Sequence, residues 1–134
     1  MTWPEAVRQL VRSRAFDRCE YCLLQLSDAG LPHEIDHAIS RKHGGASDLD
    51  SLAFACYLCN RYKGSDSASL DPATGELVRL YDPRKDRWEQ HFRIVGPVVE
   101  PLTSICATTA QLLRLNVTDR VVERQLSLNR YPKV

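Results

Sequence analysis

The chain lacks the features that mark membrane, fibrous and strongly charged proteins. No apolar run approaches the ~20 residues that a membrane-spanning helix needs, and no internal repeat or low-complexity segment is visible. Eighteen Lys and Arg face seventeen Asp and Glu, so the net charge is +1 and no bulk positive field can hold a polyanion. The amino end has no charged leader before an apolar run, and we therefore expect a cytoplasmic protein.

Length and composition are those of a globular domain. The chain has 134 residues, of which 43% are hydrophobic and 26% are charged, which suffices for one core and leaves little room for a second. Apolar periodicity predicts a helix from the amino end to about Arg14, strands over 31–40 and 52–55, and a helix from Tyr57 to about Lys63. These patterns predict an α+β fold.

The second half of the chain is predicted to be mainly helical. The expected elements are a strand over 77–81, a short helix over 87–93, an extended stretch over 98–100, and two helices over 105–115 and 118–129. Thr118 is the expected N-cap of the last helix.

Four of the five cysteines form two close pairs. Cys19 and Cys22 are separated by two residues, as are Cys56 and Cys59, and thirty-three residues lie between the pairs. Each pair and the two residues between its cysteines form a tight turn, here called a knuckle. Thiolates from two knuckles can form a closed tetrahedral zinc site, in which the metal is structural because no coordination position is open. Two pairs of buried or redox-active cysteines are the alternative. Cys106 lies outside this pattern and is expected to be a buried apolar side chain.

Asp36, His37 and Asn60 form an unusual polar set close to these cysteines in the sequence. Oxygen atoms of Asp and Asn are ligands suited to Mg²⁺ or Mn²⁺, and a neutral imidazole can accept a proton from water near pH 7. Because Asp36 and His37 are adjacent on a predicted strand, their side chains point to opposite faces of a regular strand. Their use in one site would require a bulge or a strand end at this point.

Taken together, these motifs resemble the HNH endonucleases. The resemblance covers about a third of the chain, roughly residues 19–64, and depends on the joint order and spacing of its parts. The matching runs are His33-Glu34-Ile35-Asp36-His37, Lys42-His43-Gly44-Gly45, Asp50-Ser51-Leu52 and Cys56-Tyr57-Leu58-Cys59-Asn60-Arg61-Tyr62-Lys63-Gly64. Three downstream runs resemble the carboxyl-terminal extension of a bacterial subgroup of these nucleases, and we expect a bacterial or phage origin. These runs are Leu80-Tyr81-Asp82-Pro83-Arg84, Trp88-Glu89-Gln90-His91-Phe92 and Leu113-Arg114-Leu115-Asn116.

The resemblance implies a small fold of two strands and a helix around a divalent metal. The resemblance implies that Asp36 is a metal ligand, that His37 is the general base, and that Asn60 is another metal ligand. The implied activity is hydrolysis of DNA phosphodiester bonds with Mg²⁺ or Mn²⁺, leaving 5′-phosphate and 3′-hydroxyl ends. Zn²⁺ at the four cysteines would be the second, structural cofactor.

Contact with DNA must be local, since the whole chain is nearly neutral. Lys63 follows the family pattern and is expected to meet the DNA backbone, while Arg61, Lys42 and His43 flank the motif as further nucleic-acid-binding candidates. The last helix is another candidate surface, because basic side chains outnumber acidic ones from Arg114 onward. The sequence leaves the oligomeric state open. We expect no membrane partner.

Ser51 departs from the family pattern, in which an Asn at this position supports the loop that carries the general base. Ser is shorter and can replace only part of that hydrogen bonding. A second hypothesis therefore stays open, namely a catalytically weak or inactive zinc-knuckle module that binds nucleic acid.

The expected organisation is one domain over residues 1–134. It consists of an amino-terminal helix over 1–18, a zinc-stapled HNH core of the ββα-metal type over 19–66, and a carboxyl-terminal helical extension over 67–134. The sequence assigns the extension no role.

Overall fold

A computed structural model describes residues 3–45 and 47–132 of the chain. The helices in these residues are α1 (Glu5–Arg14), α2 (Tyr57–Lys63), α3 (Trp88–His91), α4 (Ser104–Leu112) and α5 (Thr118–Arg130). The strands are β1 (Glu34–His37), β2 (Leu52–Ala55), β3 (Ala68–Leu70), β4 (Leu77–Arg79), β5 (Phe92–Val95) and β6 (Val98–Pro101). Three antiparallel hairpins pair β1 with β2, β3 with β4, and β5 with β6. The predicted α+β class is confirmed.

Helix α1 covers one face of the first hairpin. Val11 of its apolar stripe and Ala15, directly after its last residue, are buried against Leu52 and Phe54 of β2, as expected for apolar residues that recur at helical spacing. The helix ends at Arg14, where the sequence placed its end.

The β1–β2 hairpin has two different faces. Its register pairs Ile35 with Phe54 and Asp36 with Ala53. Leu52 and Phe54 pack toward α1, whereas Ala53 and Ala55 belong to the main core. Because side chains alternate along a strand, Asp36 shares the core-facing side with Ala53, and its neighbours in sequence lie on the α1 side. Strand β1 is shorter than the predicted stretch over 31–40, while β2 agrees with its prediction.

Helix α2 begins directly after Cys56, which is its N-cap. The Cys56 sulfur accepts a hydrogen bond from the backbone N–H of Cys59 at 3.4 Å. Gly64, with φ of +54°, ends the helix and donates its N–H to the Asn60 carbonyl, in a conformation that Gly adopts at little cost. Both predicted limits of this helix are confirmed.

The extension contains more strand than the sequence indicates. Helices α3, α4 and α5 and strands β4 and β6 correspond to predicted elements, whereas β3 and β5 were not predicted. Both are three or four residues long, too short for a clear alternation pattern. The N-cap of α5 is Val117, without a side-chain hydrogen bond, so the prediction of Thr118 as N-cap is wrong.

The main core joins the cysteine pairs to the extension. All four paired cysteines are buried together with Phe92, Val99, Leu113 and Leu115, which come from the extension. Within the described residues, no helix is long and apolar enough to cross a membrane.

Candidate functional site

The four paired cysteines converge on one buried point. Their sulfur atoms all lie within 4.8 Å of one another, and the Sγ atoms of Cys22 and Cys56 are 3.6 Å apart. Tetrahedral zinc with Zn–S bonds of ~2.3 Å requires sulfur atoms about 3.8 Å apart, so small side-chain shifts would complete the site. The cluster is therefore positioned to hold a metal ion such as zinc.

Local backbone structure prepares each pair for metal binding. The N–H of Cys22 points at the sulfur of Cys19 at 3.4 Å, as that of Cys59 points at Cys56. Leu23 follows the first pair with φ of +72°, a left-handed conformation that turns the chain back over the knuckle. Burial raises the pKa of the Cys19 and Cys59 thiols, whereas a hydrogen bond from Cys19 leads the effects that lower the pKa of Cys22.

Arg120 is a neighbour of this cluster that the sequence did not indicate. It reaches in from α5, and its Nη2 lies 3.0 Å from the sulfur of Cys59 and 3.5 Å from that of Cys56. Arg120 lies sixty-one residues after Cys59, so no motif in the sequence connects it with the cysteines.

Asp36 is held in the core by two hydrogen-bonding groups. Its Oδ2 accepts from the hydroxyl of Tyr21 at 3.2 Å and lies 3.1 Å from the ammonium of Lys63. Burial raises the pKa of Asp36, while the charge and hydrogen bond of Lys63 act in the opposite direction. The carboxylate is therefore anchored by a fixed cation within the fold.

The assignment of Lys63 to the DNA backbone is wrong. Its side chain is 1% exposed, and its ammonium also donates to the backbone carbonyl of His37 at 2.9 Å. Lys63 lies at the end of α2, where that helix crosses β1. Instead of binding phosphate, it connects Asp36 to the backbone of the next residue.

Asn60 and Glu34 meet on the α2-facing side of the hairpin. The Asn60 amide donates a hydrogen bond to the carboxylate of Glu34, which is exposed at the start of β1. Glu34 precedes Asp36 by two residues and therefore lies on the same face of the strand. Strand alternation could have suggested Glu34 as a third oxygen donor at this face.

His37 lies on the opposite side of the strand from Asp36. It is the last residue of β1, its ring packs 5.5 Å from that of Trp3, and its Nε2 is 3.0 Å from the hydroxyl of Ser47. No bulge interrupts β1, so the structure does not bring the Asp36 and His37 side chains to one face. The imidazole instead occupies the strand end, beside the loop that leads to β2.

Ser51 supports this loop mainly through its backbone. Its carbonyl accepts from the N–H of Ala38 at 2.9 Å, whereas its hydroxyl donates to Asp48 at 2.9 Å. The side chain therefore stabilises its own turn rather than the residues beside His37. The Lys63 bond to the His37 carbonyl supplies a further tether.

The remaining cationic candidates divide into exposed and buried groups. Lys42, His43 and Arg61 are exposed, and Arg61 also contacts the Tyr57 hydroxyl at 2.8 Å. Arg120 and Arg124 are buried, so these two residues of the last helix do not form the surface for DNA that the sequence suggested.

The hairpin, the helix and the four-cysteine cluster define a small ββα unit with cysteines positioned to hold a metal ion. The family model described as HNH endonuclease matches residues 19–66, about a third of the chain. The recognition of an HNH endonuclease domain in this segment is thereby confirmed.

The family match supports a nuclease-type, nucleic-acid-related function. Comparison with curated proteins and with solved structures gave no match.

Proposed function

We propose that the protein is a metal-dependent endonuclease that hydrolyses DNA phosphodiester bonds. The observation that carries this proposal is the HNH match over the segment whose strand β1 and helix α2 supply Asp36, His37 and Asn60. Products with 5′-phosphate and 3′-hydroxyl ends are part of the proposal.

The residues on the α2-facing side fit a hard divalent cation. Asp36 and Asn60 are the proposed ligands, and Glu34 joins them because its carboxylate contacts the Asn60 amide. Both hydrogen-bonding partners of Asp36 reach Oδ2, so its coordinating atom would be Oδ1. Such a donor set suits Mg²⁺ or Mn²⁺, which would supply Lewis-acid stabilisation of charge on the phosphate.

His37 is the proposed general base. Its imidazole can take the proton of a water molecule that attacks the phosphorus. Ser47 fixes the ring through Nε2, and Lys63 holds the backbone carbonyl of the same residue. These two contacts limit the movement of the imidazole at the end of β1.

A plasmid-nicking assay with added Mg²⁺ or Mn²⁺ tests the assignment. We expect His37→Ala to lower the rate by roughly 10²–10⁴-fold at every metal concentration, because it removes the base. We expect Asn60→Ala to raise the metal concentration needed, so that added metal partly restores cutting. His91→Gln, in the aromatic cluster of the extension, is the control. Parent-like cutting by both site variants would refute these roles.

Brief chelation separates the two proposed metals. An ion held by a few hard oxygen ligands with open coordination positions should leave before one held by four buried thiolates. Exposure to EDTA should therefore stop cutting while the thiolate-bound metal, measured by elemental analysis, stays with the protein. Loss of both together would contradict a separate catalytic ion.

A nucleic-acid-binding module without catalysis is the second candidate. The specific observation in its favour is that Asp36 already has a buried cation, Lys63, and that His37 lies on the other side of β1. Under this alternative, the parent protein would bind DNA but cut none with either metal.

A further inference from the structure

Helix α5 buries charge and exposes apolar side chains, the reverse of the usual pattern. Arg120 and Arg124 are 5% and 2% exposed, whereas Val122 and Leu126 are 55% and 59% exposed. A buried guanidinium is unfavourable unless nearby groups compensate its charge and its N–H donors. The partners of the two arginines therefore explain how this helix binds the core.

Arg124 is satisfied by oxygen atoms alone. Its Nε donates to the Cys22 carbonyl at 2.9 Å and its Nη1 to the Pro97 carbonyl at 2.8 Å. Its Nη2 donates to the Leu115 carbonyl, and Nη1 also approaches the Asn116 side chain at 3.4 Å. It therefore ties the first knuckle to the extension through neutral acceptors.

Arg120, one helical turn earlier, has sulfur partners. Its Nη1 donates to the Leu113 carbonyl, but its Nη2 points at the sulfur atoms of Cys59 and Cys56. Among the residues that the structure describes, no carboxylate forms an ion pair with Arg120. At hydrogen-bond distance, the groups opposite Nη2 that can carry negative charge are the sulfur atoms of Cys56 and Cys59, as thiolates of a metal-loaded centre.

The charge of a loaded four-cysteine centre matches this arrangement. Four thiolates around one divalent metal leave a net charge of about −2, buried in the main core. One guanidinium at hydrogen-bond distance from two of the sulfurs offsets part of that charge where water cannot. Groups that hydrogen-bond metal ligands typically change metal affinity by about 10–100-fold when they are removed.

We propose that Arg120 is a functional part of the metal site, in which it offsets part of the charge of the tetrathiolate centre and couples metal binding to the docking of α5. The two N–H···S contacts withdraw electron density from Cys56 and Cys59 and so protect these thiolates from electrophiles. This inference rests on a metal at the four cysteines and does not depend on nuclease activity. It also gives the extension a role, namely retention of the metal.

Arg120→Met and Arg120→Lys, compared with Arg124→Met and Arg124→Lys, form a matched test. The two positions share one helix, similar burial and the same residue type, but only Arg120 contacts sulfur. Zinc affinity is measured by competition with a chromophoric chelator, and thiolate bonding by the absorption spectrum of the Co²⁺-loaded protein.

We expect Arg120→Met to weaken zinc binding by about 10–100-fold, with Arg120→Lys between it and the parent. The sulfur-to-cobalt charge-transfer bands should move to longer wavelength in Arg120→Met, because the thiolates become stronger electron donors. Arg124→Met should leave these bands in place even if it loosens the fold. Band positions report the sulfurs themselves, and a purely structural role for Arg120 would not move them.

Alkylation of the zinc-loaded proteins supplies a second measurement. Mass mapping after iodoacetamide treatment should show faster modification of Cys56 and Cys59 in the Arg120 variants, with Cys19 and Cys22 less affected. If Arg120→Met fails to fold, Arg120→Lys decides, since it keeps the charge and changes the contacts to sulfur.

Unchanged bands and an unchanged alkylation pattern in the folded Arg120 variants would overturn the proposal, as would equal shifts in the Arg124 series. A parent protein that binds neither zinc nor cobalt would overturn the metal centre itself. Neither outcome bears on DNA cutting, which is assayed separately with Mg²⁺ or Mn²⁺.

Discussion

Asp36 and Lys63 form a buried ion pair in the middle of the candidate site. Each is at most 7% exposed at the side chain, and their charged atoms are 3.1 Å apart. A buried pair contributes modestly as a whole, but the loss of one partner leaves an uncompensated charge in the core. Lys63 therefore stabilises the fold by balancing the charge of Asp36, and it also holds the backbone carbonyl of His37.

We predict that Lys63→Met destabilises the protein by about 3–5 kcal/mol, because Asp36 loses its cation. Urea denaturation measures the effect, with Arg61→Met, on the exposed side of the same helix, as control within about 0.5 kcal/mol of the parent. The double variant Asp36→Asn with Lys63→Met should lose less stability than the sum of its single changes. Simple additivity would show that the pair is not coupled.

The exposed cations beside the motif carry a separate prediction. If Lys42 and Arg61 contact phosphates, each change to Ala should weaken DNA binding and reduce the slope of log affinity against log salt by about 0.9. Fluorescence anisotropy at several salt concentrations measures this slope. Lys85, an exposed cation of the extension, provides the control, and slopes equal to the parent's would remove both residues from the interface.

At the scale of elements, the loop after β1 depends on Gly45. A Cβ at this position would lie 1.7 Å from the backbone carbonyl oxygen of Ile39, two residues after His37. At Gly44, with φ of +86°, a Cβ would meet open space, so Ala there costs only the left-handed conformation, about 1–2 kcal/mol.

We predict that Gly45→Ala costs about 3 kcal/mol, more than Gly44→Ala, and that it lowers nicking further at a temperature where both proteins are folded. Displacement of the Ile39 carbonyl would shift the segment that holds His37. Thermal unfolding and single-time-point nicking of the two variants make the comparison. A smaller effect at Gly45 than at Gly44 would show that the loop adapts.

Helix α4 depends on Cys106 for its first turn. The backbone N–H of Thr103 donates to the Cys106 sulfur, and the backbone N–H of Cys106 donates to the Thr103 hydroxyl oxygen. These two hydrogen bonds form a capping box. Cys106 is fully buried, as predicted, but it is a cap rather than only an apolar filler.

Cys106→Ala should destabilise the protein by about 1 kcal/mol through loss of this cap, whereas Cys106→Ser, which keeps an acceptor, should cost less. Neither change should alter the metal content, since the sulfur is outside the four-cysteine cluster. Denaturation curves and elemental analysis provide the two measurements. Loss of metal in either variant would link this cysteine to the centre.

For the whole molecule, the four-cysteine cluster lies where the amino-terminal half and the extension share a core. Removal of the metal by prolonged chelation should therefore unfold the protein cooperatively, because binding free energy at such a site is folding free energy. Trp88, whose Nε1 bonds the Tyr21 carbonyl beside the first knuckle, should show a red shift in fluorescence. Zinc should reverse this shift, and magnesium should not. A native spectrum without bound metal would refute the dependence.

The sequence by itself determined the local units. Cysteine spacing predicts the two knuckles, the apolar run before Cys56 predicts β2, and Gly64 predicts the end of α2. Each of these predictions depends on residues that are close together in the chain. The joint order of these motifs also gave the HNH match over residues 19–66.

Only the tertiary structure decided which charges are buried and what they contact. The sequence predicts DNA contacts for Lys63 and for the basic residues of α5, yet Lys63 pairs with Asp36 and Arg120 reaches Cys59. A charged side chain has the same local sequence signal on a surface as in a core with a partner. Its partner lies twenty-seven residues away for Lys63 and sixty-one for Arg120, and only the packing of helices on the hairpin and the knuckles brings these groups together.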